Sequence, residues 1–132
     1  MAEHPNVARC REIYEIFEHG NMEQVRALLA DEIVWTAPGR GKFAGPKHGP
    51  DEVFRFFEQV GWETSSAMFS IKLQDVVADD THMVAVVHYH HELGDKVFDQ
   101  DGIEILTLNS KGLIDSFSAF IRDSAAFDEF FG

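Results

Sequence analysis

Apolar residues recur at three- and four-residue steps in the first half of the chain and at alternate positions in the second. Val7, Cys10, Ile13, Tyr14 and Phe17 predict an amphipathic helix over residues 6–19. Gly20 is placed to end it in the left-handed conformation that glycine tolerates. Asn21, with Gln24 three residues on, has the form of a capping box. It opens a second helix whose buried stripe is Met22, Val25, Leu28 and Leu29, and so short a joint predicts a helical hairpin. Residues 32–37 predict a short strand carrying Trp35, and PGRGKFAGPKHGP after it predicts a loop. Pro50 suits the first turn of a third helix. Val53, Phe54, Phe57 and Val60 form one face of it, Phe56 sits beside them, and Gly61 is expected to stop it.

The period then changes. Phe69, Ile71 and Leu73 alternate with Ser70, Lys72 and Gln74, which is strand behaviour. Further strands are predicted over residues 82–93, 97–108 and 113–122, separated by turns at Ala78-Asp79-Asp80-Thr81, Gly94-Asp95-Lys96 and Asn109-Ser110-Lys111-Gly112. Such short connections make antiparallel neighbours. Ser124 is placed to cap a last short helix with Phe127, Phe130 and Phe131. Helices first and a meander afterwards predict an α+β fold with helices on one face of a sheet. With no repeat and no linker, residues 1–132 are expected to form a single domain.

Composition narrows the function classes. The chain is 45% apolar and rich in aromatic residues, with twelve phenylalanines, so some rings are available to line a pocket. A formal charge of −12 repels phosphate backbones and anionic headgroups, so neither nucleic acid nor membrane is an expected partner. One cysteine, Cys10, allows no internal disulfide, and the first ten residues lack the apolar run of a signal peptide; a cytoplasmic location is expected. The glycines of GRGKFAGPKHG do not join a strand to a helix within a βαβ unit, which argues against a phosphate cradle, and no cofactor is expected. Arg40, Lys42, Lys47 and His48 make that loop locally basic.

The order of elements and three local words are similar to one family. NMEQVRALLADEIVWTAPG, FAGPKHGPDEVFRFF and NSKGLIDSFSAFIRD resemble, in turn, the helix-to-strand segment, the loop with its third helix, and the final turn and strand of SnoaL-like and ketosteroid isomerase-related proteins. The resemblance implies the cone-shaped nuclear transport factor 2-like (cystatin-like) fold: a curved antiparallel sheet wrapped around N-terminal helices, with an apolar conical pocket and a homodimer formed through the outer face of the sheet. It is weaker on chemistry, because one fold hosts many reactions. At the polar positions of a ketosteroid isomerase, the resemblance puts Ala37 for the general base, Ile13 for the first-helix tyrosine, Phe57 for a supporting tyrosine and Glu104 for the oxyanion-hole acid. Proton abstraction beside a carbonyl needs a base in reach and donors on the oxyanion. Steroid isomerase activity itself is therefore not expected.

The word VVHYHHEL holds three of the seven histidines. The resemblance turns Val84, Val86, His88 and His90 toward the pocket and Met83, Ala85, Val87, Tyr89, His91 and Leu93 away from it; periodicity alone prefers the reverse, because the second set is more apolar. Three interpretations follow. His88 and His90 could share a metal ion with Glu104. His88 and Glu104 could form an acid/base dyad, the carboxylate raising the imidazole's pKa. Or the histidines are structural. If the protein is an enzyme, the expected site takes the second form, with His88 and Glu104 catalytic and no metal; in either case the expected pocket is lined by Phe17, Trp35, Phe54, Phe57, Val86, Leu106, Phe117, Ala119 and Ile121, with His90 and Gln100 as further polar groups. Its ligand would be a small, mostly hydrophobic or partly polar organic molecule, turned over by a cofactor-free isomerase-, cyclase- or hydratase-like reaction, or simply bound. Arg122 and Asp123 are expected to form a salt bridge at the rim.

Overall fold

Ten elements follow one another in the structure, a computed structural model that describes residues 3–64 and 71–131, without the side chains of residues 61–64 and 93. They are α1 (Pro5–His19), α2 (Met22–Arg26), β1 (Leu29–Ala37), β2 (Gly45–His48), α3 (Gly49–Thr64), β3 (Ile71–Ala78), β4 (Met83–Leu93), β5 (Lys96–Leu108), β6 (Ile114–Ile121) and α4 (Ser124–Phe131). Six strands make one curved sheet in the order β2-β1-β6-β5-β4-β3. The pairs β3–β4, β4–β5 and β5–β6 are antiparallel hairpins, as their short turns dictate, whereas β1 joins β6 in parallel. Phe69 and Ser70, read as part of the third strand, and the side chain of Leu93 lie outside the described residues.

Several local expectations needed correction. Gly20 is extended (φ −78°, ψ 162°), not left-handed. Its role is close approach, since a Cβ there would stand 2.6 Å from the Ile16 carbonyl oxygen. The Asn21–Gln24 capping box forms in both directions, but the helix it opens is short, and Leu29 begins β1. The Gly/Pro-rich loop contains β2, which pairs antiparallel with the end of β1. Helix α3 continues past Gly61 to Thr64. At α4 the cap is Asp123, whose carboxylate accepts from the Ala126 amide at 3.1 Å, with Ser124 already inside the helix. Arg122 lies 3.9 Å from Asp101, so the rim pair with Asp123 does not form.

The inner face of the sheet carries the core. Met83, Ala85, Val87 and Leu106 are fully buried against α1 and α3, and Trp35 and Phe117 close the middle. Among the described residues, no helix is long and apolar enough to cross a membrane.

Candidate functional site

Glu104 sits on β5 opposite Ala85, pointing into the cone, and is only 2% exposed. A buried carboxyl is expensive unless its oxygens are satisfied. Here the chain's two tyrosines supply the donors. Tyr14 on α1 donates to Oε1, and Tyr89 on β4 donates to Oε2 at 2.6 Å. Tyr89 reaches Glu104 diagonally, over Gly102. A Cβ on that glycine would stand 2.4 Å from the Tyr89 ring and 2.9 Å from the Phe120 carbonyl oxygen, so a glycine is needed inside this strand.

Two effects compete for the Glu104 proton. Burial disfavours the charged form, and the two hydroxyls favour it. Burial is the larger, and the carboxyl is pushed up to about 7. Tyr14 and Tyr89 are both held above the ordinary phenol range, by burial first and then by Glu104, so they remain protonated donors. Cys10, on the buried face of α1, is pushed up to about 11 by burial and then by the same carboxylate, and stays a thiol.

Two small cavities meet at this carboxyl. The larger, about 40 Å³, is lined by Trp35, Ala37, Tyr89, His91, Glu104 and Phe117 together with Ala119, Ile121, Phe127 and Phe131. The smaller, about 20 Å³, lies between Tyr14, Phe17, Trp35, Glu104 and Phe117. The rings of Trp35 and Phe117, stacked 3.6 Å apart at 9°, form part of both walls. At about 10–15 Å³ per water, the larger cavity has room for about three.

His91 is a further buried polar residue of the cone. It is 4% exposed, and its ring lies near-parallel to Phe98 at 6.2 Å and close to Phe130 and Phe131. Burial, with the charge of neighbouring His90 adding to it, lowers its pKa to about 4, so the imidazole is neutral at pH 7. Its Nδ1 is buried without a hydrogen-bond partner.

His88, expected as the partner of Glu104, lies on the opposite face of the sheet. His88 Nδ1 is 2.7 Å from Asp101 and its Nε2 is 2.9 Å from Asp99. His90 Nδ1 is 2.7 Å from Asp99 and its Nε2 is 3.0 Å from Glu92. These carboxylates raise the pKa of both imidazoles, and all are solvated. Neither the dyad nor a metal shared with Glu104 can form through the sheet. The cause is apolar burial: β4 must bury either Met83, Ala85 and Val87 or the histidine face. The first face also carries the Tyr89 ring, whereas Val84 and Val86 share the second with two imidazoles that would lose their solvated carboxylate partners on burial, so the first face goes inside.

The remaining expected residues divide between wall, core and exterior. Trp35, Phe117, Ala119 and Ile121 line the larger cavity, and Phe17 lines the smaller. Phe57 packs edge-on against Trp35 at 4.9 Å, Phe54 packs against Phe57 at 5.3 Å, and Leu106 is core; these three back the wall. Val86 and His90 are on the outer face, Val86 in a groove with Ile103 and Phe120. Gln100 is tied to the backbone of Asp123, donating to its carbonyl at 3.1 Å and accepting from its amide at 2.8 Å.

Tyr14, Tyr89 and His91 were missed as site residues. Periodicity had pointed to all three, placing Tyr14 in the buried stripe of α1 and Tyr89 and His91 on the apolar face of β4. The resemblance displaced them, by one residue in α1 and by one face in β4. Ala37 does line the cavity and brings no functional group.

Residues 10–117 match the model of the SnoaL-like domain. No curated protein matches the sequence. Among solved structures, the fold is similar to that of Bal32a from a soil-derived mobile gene cassette (26% identity, 96% of each chain, TM-score 0.87). It is also similar to TerC co-crystallized with polyporic acid (16% identity, 97% of this chain and 98% of that one, TM-score 0.80). A third similar structure is Rv0760c from Mycobacterium tuberculosis in complex with estradiol-17β-hemisuccinate (15% identity, 89% and 93%, TM-score 0.72).

Proposed function

Because the chain belongs to the SnoaL-like domain family, we propose that it binds a small, mostly hydrophobic organic molecule inside the cone and that Glu104 exchanges a proton with that molecule without a cofactor. The observation that carries this is a buried carboxyl, bonded by two tyrosine hydroxyls and pushed up to about 7 by burial, at the junction of two aromatic-walled cavities. A general base works best when its pKa lies near the working pH. Each Glu104 oxygen accepts one tyrosine hydrogen bond and keeps a second lone-pair direction for a ligand proton. The molecules held by TerC and Rv0760c support a cone that admits small organic compounds. A volume of about 40 Å³ is smaller than the ~150 Å³ that admits benzene, so an entering ring displaces wall side chains. Phe127 and Phe131, on the terminal α4, are the wall rings carried by the shortest helix of the cavity.

The same reading includes a homodimer through the outer face of the sheet. Phe120 is 56% exposed there beside Ile103, and an apolar pair of this kind calls for cover.

The test uses cyclohexanone, a small apolar ketone, in D2O. Wild-type protein accelerates deuteration at its α-carbons, with a rate that rises as Glu104 ionises through about pH 7. Glu104→Gln loses the acceleration, while the ketone still perturbs the aromatic NMR signals of Trp35 and Phe117. Equal rates for the two proteins overturn the proton-transfer role. Ketone binding without acceleration in either leaves a carrier.

A further inference from the structure

We infer that His91 is a ligand-recognition residue, and that the molecule held in the larger cavity carries a neutral hydroxyl on or beside its apolar ring. This rests on the cavity being a binding site, and it adds the class of ligand. Buried polar atoms in folded proteins are almost always paired. An orphan costs the full desolvation of its group. His91 Nδ1 is such an orphan, on a side chain 96% removed from solvent that lines the cavity with Trp35, Tyr89 and Phe98. A packing role would be filled better by phenylalanine, which needs no partner and already surrounds this ring at Phe98, Phe130 and Phe131. Among the described residues no protein group pairs this atom, and a ligand hydroxyl that displaces cavity water supplies its partner.

The chemistry of that partner follows from the surroundings. The imidazole is neutral at pH 7, so it offers no charge to an anion. Glu104, the chain's −12 charge and the aromatic walls oppose a carboxylate or phosphate. A neutral imidazole nitrogen either donates or accepts, according to tautomer, and a hydroxyl matches both. His91 and Tyr89 lie two residues apart on one strand face, about 7 Å along β4. A ring placed between them meets His91 with its hydroxyl at one end and the Tyr89–Glu104 pair at the other.

Phenol and toluene test this, because they share size and ring and differ in hydroxyl against methyl. Each is titrated at millimolar concentration into the wild type and into His91→Phe. Binding is read from aromatic NMR shifts of Trp35 and Phe117. The phenol-to-toluene affinity ratio is expected to fall roughly tenfold in the variant, ~1.4 kcal/mol for one lost hydrogen bond to a buried group. In ¹⁵N-labelled wild type, phenol moves the His91 Nδ1 resonance and toluene does not; this measurement needs no variant and stands if His91→Phe fails to fold. An unchanged ratio, or equal Nδ1 responses to the two compounds, overturns the role of His91 while the binding cavity stands. Failure of both compounds to bind overturns the cavity and this inference together.

Discussion

Replacing Glu104 by glutamine should make the protein more tolerant of high pH. In the unfolded chain the carboxyl titrates near 4.5; in the folded protein it is pushed up to about 7. Between those values the folded state holds more protons than the unfolded one. Stability contributed by this group must therefore fall as pH rises, fully present below about 4.5 and lost above about 7. At 1.36 kcal/mol per pH unit, the loss across the window is about 3 kcal/mol. For a chain of this length that corresponds to about 10 °C in Tm. Glutamine cannot ionise and carries no such slope. It costs something at every pH, because its amide nitrogen cannot accept from one of the two tyrosines. The assay is urea unfolding of wild type and Glu104→Gln at half-unit steps from pH 4 to 9. Plotting the difference between the two removes the titrations of His88, His90 and Asp99 on the outer face, which both proteins share. The difference should move by about 3 kcal/mol in favour of the variant between pH 4.5 and 7 and be flat above pH 8. A flat difference throughout would refute the dominance of burial over the tyrosine hydrogen bonds. A difference of opposite slope would mean that the tyrosines win and the carboxylate is the favoured form.

Two further outcomes test how the site is held. Gly102→Ala should destabilise by about 1–3 kcal/mol, as overpacking does, and should pull Tyr89 off Glu104, because the added methyl meets the ring at 2.4 Å and the Phe120 carbonyl at 2.9 Å; a shifted Glu104 titration by ¹³C NMR reads it, and an unmoved titration would refute the steric link. Asp128→Ala should release α4 from the β1–β2 loop, since the Arg40 and Gly41 amides donate to that carboxylate at 2.8 and 2.9 Å; hydrogen exchange at those two amides should rise at least tenfold for about 1.5 kcal/mol lost, and unchanged protection would show that the latch carries no weight.

Sequence by itself determined the local elements and the family. Three- and four-residue steps locate α1 and α3, period-two runs locate the meander, and Asn21 with Gln24 caps α2, because each depends on residues within a few positions of one another. It also held the correct face of β4, because Met83, Ala85, Val87 and Tyr89 make a more apolar set than Val84, Val86, His88 and His90. Tertiary structure decided the rest. The polar centre joins residues 14, 89 and 104, brought together from a helix and two strands, and no spacing along the chain encodes which tyrosine meets which carboxylate oxygen. The parallel pairing of β1 with β6 depends on partners far off in sequence, such as Leu29 with Ile114 and Trp35 with Phe117. The titration of Glu104 near neutrality is likewise a property of the closed cone, because desolvation exists only where many distant apolar side chains exclude water at once.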